Sequence, residues 1–266
     1  ALNSHYTSRL MLGATSVIVA KFEPHPFMRL LQEEKASVVS GNPTMFNILL
    51  ENCPPGEYDT STVTKVTSGA DKLPIQLAQK LLEFFPHAEG VFDVFGCTEC
   101  SPCVTTLHAK DSLRKTGSVG KALPYLEMKV LDPEGREALP GQVGEVVVRG
   151  PVVMKGYYRQ PEETAKVLSE DGWLHTGDIA ELDEDGHLLI VDRKKDIIIT
   201  SGGKNIAPSE IENALKVSPY IKEAIVVGEG RNYIAALIQI DFENVGKWAT
   251  DRHLAYTNFK NLSSQA

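Results

Sequence analysis

Residues 64–96 read TKVTSGADKLPIQLAQKLLEFFPHAEGVFDVFG. This stretch decides the fold class, because three patterns follow one another in it. "TKVTSGA" (64–70) is a strand that ends in a glycine turn. "PIQLAQKLLEFF" (74–85) opens on proline and spaces its apolar residues for a helix. "GVFDVFG" (90–96) is a second strand, again ending in a turn. A strand, a helix and a strand in succession imply parallel strands covered by helices.

The same alternation extends upstream. "TSVIVA" (15–20) reads as a buried strand and "HPFMRLLQEEKA" (25–36) as a helix with an apolar face. "SVVS" (37–40) is a short strand, and "PTMFNILLEN" (43–52) a helix with proline in its first turn. Ligands of such sheets gather at the carboxyl ends of the strands. "SGADKLP" (68–74) and "FGCTE" (95–99) lie at such ends.

From residue 117 the texture changes. "GSVGKALPYLEMKVLDPEGREALPGQVGEVVVRGP" is rich in glycine and proline, with short β-like runs and the turn signals "DPEG" and "LPGQ". It reads as an antiparallel β unit. "GHLLIVDRKKDIIITSGG" (186–203) gives two strands split by a charged turn. A helix (208–217), two strands (223–228 and 232–240) and a helix (243–252) follow, a small α+β tail. The turn "DRKKD" (192–196) is the natural boundary. The expected fold is α/β: residues 1–192 form part of a large domain, with an α/β subdomain at 1–112 and a β subdomain at 113–192. Residues 193–266 begin a small, mobile C-terminal domain.

The formal net charge of -8 over 266 residues argues against nucleic acid as a partner. No apolar run approaches the roughly 18 residues of a spanning helix. "LMLGATSVIVA" (10–20) comes nearest and is interrupted by glycine and threonine. No transmembrane segment is expected, and peripheral membrane contact is left open. The chain starts at Ala1, without methionine and in mid-pattern, so it reads as a fragment. Four cysteines at this length do not suggest a disulfide framework, which makes a reducing cytoplasm the expected location.

"FGCTECSPC" (95–103) admits three readings. Cys97, Cys100 and Cys103 are spaced like the start of an iron–sulfur run. Such a run needs a fourth cysteine at 107, where this chain has Leu107 followed by His108. Cys53 lies in a different turn, "ENCPPGE", and His108 could complete only a mixed site. The thiols could equally be small apolar fillers of a turn. Finally, "FGCTE" is an aromatic–Gly–x–Thr–Glu turn of the kind that holds a nucleotide.

"DGWLHTGDIAELDEDGHLLIVDRKKDIIITSGGKNIAPSEIE" (171–212) resembles the adenylate-forming superfamily of acyl-CoA synthetases, luciferases and adenylation domains. "GEVVVRGPVVMKGYY" (144–158), "GSVGKALP" (117–124), "FGCTE" and "SGADKLP" fall in that family's order. The tail "GEGRNYIAALIQIDFENVGKWA" (228–249) resembles the long-chain fatty acyl-CoA synthetase branch. The resemblance implies ATP-dependent activation of a carboxylic acid to acyl-AMP, then transfer to CoA. Its small-molecule partners are the acid, ATP and CoA, with Mg²⁺ as cofactor.

The resemblance also implies roles. Phe95 would stack on adenine, with Gly96 beside it, and Asp93 would accept from the adenine amino group. Gly69, Ala70 and Asp71 would lay backbone along the base. Thr98 would donate to the α-phosphate, and Glu99 would hold Mg²⁺. Asp178 would accept from both ribose hydroxyls, and Arg193 would reach ribose or phosphate. Lys195 matches the hinge of the mobile domain. Gly202 and Gly203 would let backbone approach the pantetheine arm of CoA.

Two family features find no counterpart in this chain: the phosphate loop ending in Lys-Gly, and the C-terminal lysine that assists adenylation. Lys247 follows Gly246 but falls inside a helix-like segment. These 266 residues alone are therefore expected to be poor catalysts. The alternatives to a long-chain acyl-CoA synthetase are an aryl or medium-chain ligase, or a non-catalytic module that binds nucleotide or acyl groups.

Overall fold

The structure is a computed structural model that describes residues 7–115 and 117–263. The chain separates into two compact units, the first ending at Ile190 and the second starting at Val191.

The first unit opens with α1 (Ser8–Met11), α2 (Pro24–Glu33), β1 (Val38–Gly41), α3 (Pro43–Asn52), β2 (Lys65–Gly69), α4 (Ile75–Phe84) and β3 (Val91–Phe95). Each of the three longer helices has proline near its start, where a missing N–H costs nothing. Asn42 caps α3 by accepting from the Met45 N–H at 2.8 Å. β4 (Thr105–Leu107) and β5 (Lys121–Ala122) complete a sheet of order β1-β2-β3-β4-β5. The first three strands are parallel, and β4 and β5 are antiparallel additions.

Register puts Val39, Val66 and Val91 side by side, all buried. They pack with Met28, Leu31, Leu49, Leu77 and Leu81 into the first core. Each such side chain contributes about 1.5–3 kcal/mol by leaving water. Two residues further along each strand, Gly41, Ser68 and Asp93 align on the same face, since side chains alternate with period two. The core therefore runs into a polar row at the carboxyl end of the sheet.

The β region is a second sheet of order β6-β7-β8-β9, made of β6 (Glu127–Leu131), β7 (Gly144–Arg149), β8 (Leu174–Leu182) and β9 (Leu188–Arg193), with α5 (Pro161–Val167) inserted before β8. Val130, Val146, Val148, Leu174 and Leu188 form its core, which also takes in Cys100 and Val104. Lys115, between β4 and β5 of the first sheet, is tied to the turn after β8, its Nζ reaching Asp183 Oδ2 at 2.7 Å and Asp185 Oδ2 at 2.5 Å.

The second unit holds two small hairpins. β10 (Ile198–Ile199) pairs with β11 (Asn205–Ile206), and β12 (Ile221–Val227) pairs with β13 (Ala235–Ile240), both antiparallel. α6 (Pro208–Lys216) packs on β12, which buries Ala224 and Val226. α7 (Phe242–Asp251) is capped by Asp241, which accepts from the Asn244 N–H at 2.8 Å, and α8 (Phe259–Ser263) follows.

One expectation is corrected. Residues 15–20 form no strand, and Ile18 is 73% exposed. Among the described residues β1 pairs with β2 alone, and this apolar run does not add to its open edge. Without a partner for its backbone groups, β-branched composition does not make a strand.

Candidate nucleotide site

The polar row at the end of the first sheet is the start of the site. Ser68 lies opposite Asp93, and Gly69 opposite Val94. Asp93 is 5% exposed and its Oδ1 accepts from the Val94 N–H at 3.1 Å. Burial raises its carboxyl group to about 7; the Val94 N–H opposes that shift and the charge of Asp71 adds to it. Ser68 is 1% exposed, and its Oγ has no hydrogen-bond partner among the described residues. Ala70, just past the strand, takes a left-handed φ of 74°, and Asp71 is exposed, accepting from the Lys72 N–H at 2.8 Å.

β3 then delivers the turn. Phe95 is half-buried and packs against the second core. A Cβ on Gly96 would stand 2.0 Å from the Pro102 carbonyl oxygen, so only glycine fits this approach of backbone to backbone. Thr98, Glu99 and Cys100 form a 3₁₀ turn that starts after Cys97. Thr98 is exposed. Glu99 is held from two sides: its carbonyl accepts from the Met154 N–H at 2.8 Å, and its Oε1 accepts from the Tyr157 hydroxyl at 2.8 Å. That bond to Glu99 is the main reason the Tyr157 phenol is raised.

The thiols do not converge as a trio. Cys103 donates to the Thr105 carbonyl at 3.3 Å. The neighbouring Cys97 thiol and burial raise the Cys100 thiol; the charges of Glu99 and Asp178 push the same way. Asp178 is thus within electrostatic reach of the 3₁₀ turn, although it is 78 residues further along the chain than Cys100.

Asp178 sits on β8 at an irregularity. The pairing with β7 shifts between Glu145 and Val147, and the bulge falls at Thr176–Asp178. Thr176 Oγ1 donates to the Val146 carbonyl at 2.9 Å and accepts from the Asp178 N–H at 3.1 Å. Asp178 is 6% exposed. His175, immediately before the bulge, faces Glu145 at 3.1 Å.

In the second unit, Arg193 and Lys195 are exposed. Asp192 is buried and accepts from the Arg193 N–H at 2.8 Å and from the Ser209 N–H at 3.0 Å, which ties the "DRKKD" turn to the first turn of α6. Lys195 borders an open cavity of about 630 Å³ shared with Asp192, Asp196, Ser209 and Glu212. Gly202 and Gly203 lie in the exposed turn between β10 and β11. Only Gly203 takes a left-handed φ, 76°.

The structure thus gathers Gly69, Ala70, Asp71, Asp93, Phe95, Gly96, Thr98 and Glu99 along the strand ends of the first unit. Asp178 is brought towards them through Cys100, and Arg193, Lys195, Gly202 and Gly203 belong to the second unit. Sequence reasoning missed Tyr157 and Ser68. Tyr157 is the first tyrosine of "MKGYY" (154–158), where nothing local marks a hydroxyl aimed at Glu99; Ser68 looks like any strand serine until its register opposite Asp93 is known.

The sequence matches the family of AMP-binding enzymes over residues 4–158 and the AMP-binding enzyme C-terminal domain over residues 195–258. It is 36% identical to a feruloyl-CoA synthase of Amycolatopsis sp, covering 82% of this chain and 44% of that protein. It is 38% identical to a long-chain-fatty-acid–CoA ligase of Bacillus subtilis, covering 84% and 39%. The fold is similar to O-succinylbenzoate coenzyme A synthetase from Bacillus subtilis in complex with ATP and magnesium ion, with a TM-score of 0.75 at 28% identity, covering 95% and 52%. The chain spans about half the length, or less, of the proteins it matches.

Proposed function

The chain belongs to the AMP-binding enzyme family, and on that premise we propose that it serves ATP-dependent activation of a carboxylic acid and transfer of the acyl group to CoA. A carboxylate oxygen of the acid attacks the α-phosphorus of ATP, and pyrophosphate leaves with the electron pair of the broken P–O bond. The thiol sulfur of CoA then attacks the acyl carbon, and AMP leaves.

The observation that carries this reading is the turn at 95–99. It stands at the carboxyl end of a parallel strand, and its glutamate is aimed by Tyr157. Phe95 offers a ring face to adenine, Asp93 accepts from the adenine amino group, and Gly69, Ala70 and Asp71 line the base. Thr98 donates to an α-phosphate oxygen. Glu99 would hold Mg²⁺, whose charge offsets that of the phosphates; a hard carboxylate oxygen fixed by a neighbouring hydroxyl suits it. Asp178, an acceptor held by its bulge, takes both ribose hydroxyls. Arg193 reaches ribose or phosphate, Lys195 serves as the hinge, and Gly202 and Gly203 flank the pantetheine arm.

The acid is proposed to be a long-chain fatty acid, supported by the likeness to the Bacillus subtilis ligase. The feruloyl-CoA synthase supports an aryl acid as the second reading. Competing a panel of fatty and aryl acids for acyl-CoA formation separates the two.

The test is calorimetric titration of this chain with a non-hydrolysable acyl-adenylate. Micromolar binding that disappears in Asp178→Ala supports the site. A folded chain that binds nothing overturns it.

A further inference from the structure

The turn after β8 carries a cluster that the nucleotide chemistry does not use. It reads Asp183-Glu184-Asp185-Gly186-His187. Asp183 Oδ1 accepts from the Asp185 N–H at 2.9 Å and from the His187 N–H at 2.8 Å. Those bonds fold the turn over Asp183. One donor atom from each of Asp183, Asp185 and His187 lies within 4.8 Å of the other two. Among the described residues, no other three histidine, cysteine or carboxylate side chains gather in this way.

His187 is the residue that points to a ligand. It is 3% exposed, and its Nδ1 has no hydrogen-bond partner among the described residues. That nitrogen faces the turn, 3.7 Å from Asp183 Oδ1, which is too far for a hydrogen bond. Oδ1 already accepts two N–H groups, so it has little left to offer. The other ring nitrogen, Nε2, lies 3.9 Å from Asp111 Oδ2. That negative charge favours the ring proton on Nε2, and a neutral ring then keeps the Nδ1 lone pair towards the cluster. A buried nitrogen left without a partner destabilises the fold, and a bound cation would satisfy it.

We propose that Asp183, Asp185 and His187 form a binding site for Zn²⁺, and that Lys115 competes with the ion for it. Lys115 marks where the ion sits. Its Nζ stands between the carboxylates, 2.7 Å from Asp183 Oδ2 and 2.5 Å from Asp185 Oδ2. Arg114 meets Asp111 at 2.7 Å and Asp185 at 3.8 Å. Three carboxylates thus face two cationic side chains, and the cluster keeps a negative charge. A divalent ion in place of the ammonium brings it to neutrality.

The donors select the class of ion. One imidazole nitrogen and two carboxylate oxygens suit zinc, which accepts three protein ligands and a water. Mg²⁺ prefers oxygen alone in an octahedral shell. Donors at zinc-ligand distance from a tetrahedral ion stand about 3.3–3.6 Å apart. The cluster therefore needs a contraction of about 1 Å at most. Asp185, with its side chain 55% exposed, is free to make it. Binding releases Lys115, so a link between the segment before β5 and this turn gives way to one within the turn.

The experiment strips the full chain with EDTA, removes the chelator, and titrates zinc chloride by calorimetry near neutral pH. The expected result is one equivalent bound at micromolar strength or better, weakened at least about tenfold in Asp185→Asn and in His187→Gln. Lys115→Met should bind zinc about tenfold more tightly, because the ion then displaces no ammonium. A misfolded protein gains no affinity at a folded site, so this arm holds even where His187→Gln fails to fold. One equivalent of cobalt chloride serves as the second probe. Nitrogen and oxygen ligation should give visible d–d bands without thiolate charge transfer. Absence of zinc binding, equal binding in Asp185→Asn, equal or weaker binding in Lys115→Met, or a thiolate band in the cobalt form overturns the proposal. Displacement of zinc by an equal concentration of magnesium chloride overturns the choice of ion.

Discussion

Tyr157 donates its hydroxyl hydrogen to Glu99 Oε1 across 2.8 Å, although 58 residues separate the two in sequence. The bond spans from the loop after β7 to the turn after β3. It fixes the Glu99 carboxylate through Oε1. Tyr157→Phe removes the hydroxyl and nothing else. The expected loss is about 1 kcal/mol of folding free energy, below the usual range for a bond to a charged acceptor because the pair is only partly buried. Urea denaturation measures that loss. Titration of Mg²⁺ in the presence of the acyl-adenylate should show a requirement raised about tenfold, and an unchanged requirement would separate Tyr157 from the metal.

Asp93 makes stability fall as pH rises. Its folded-state carboxyl titrates at about 7, against 3.8 for an ordinary one, because it is buried. Between those values the folded protein holds a proton that the unfolded chain has released. The contribution of Asp93 is therefore full below about pH 4 and is lost as pH rises through about 7. The whole effect is at most about 4 kcal/mol. Asp93→Asn keeps the shape and removes the titration. Denaturant midpoints at pH 5 and pH 8 should show the wild type losing more stability than the variant, and parallel losses would show that Asp93 does not carry the slope.

The glycines of the two turns differ in what they tolerate. Gly96→Ala drives a methyl group into the Pro102 carbonyl and should cost about 1–3 kcal/mol or more. Gly202→Ala meets no atom within 4 Å at an ordinary φ and should be neutral or slightly stabilising. Gly203→Ala meets no atom either, but its left-handed φ should cost about 1 kcal/mol. Melting temperatures of the three variants test this order.

Lys115 should carry acid-side stability. Burial alone would raise Asp183, but the bond from Lys115 and the backbone N–H groups of His187 and Asp185 bring it down to about 2. The depressed value means the contribution is present above about pH 4 and is lost as pH falls through about 2. Lys115→Met keeps the stem and removes the charge. It should lower stability near neutral pH, with a difference from wild type that shrinks as the pH is lowered towards 2. A difference that stays constant with pH would assign the loss to packing.

Much of the fold was legible because its signals are local. Helices at 24–33, 43–52 and 75–84 have proline at their starts and one apolar face each, and both can be read from the letters. The strands at 65–69 and 91–95 carry their own β-branched runs and turn glycines. Residues 15–20 carry the same composition and form no strand. The difference lies in tertiary pairing: nothing in "TSVIVA" says whether it will join the open edge of β1. The site divides in the same way. Glu99, Asp178 and the "DRKKD" turn are marked by the resemblance of their motifs to the family, whereas Tyr157, Ser68 and the bulge at Asp178 are not.

By itself, then, the sequence determined the order of strands and helices between residues 24 and 95, the turns at the carboxyl ends of the parallel strands, and the acceptors and donors those turns carry. Each depends on side chains within a few residues of one another, where periodicity and turn chemistry act directly. Only the tertiary structure decided that Asp93 is buried deeply enough to titrate near 7, that Tyr157 reaches Glu99, and that Cys100 lies within reach of Asp178's charge. Those properties come from burial and from contacts between distant segments, and desolvation and hydrogen bonding act through space rather than along the chain.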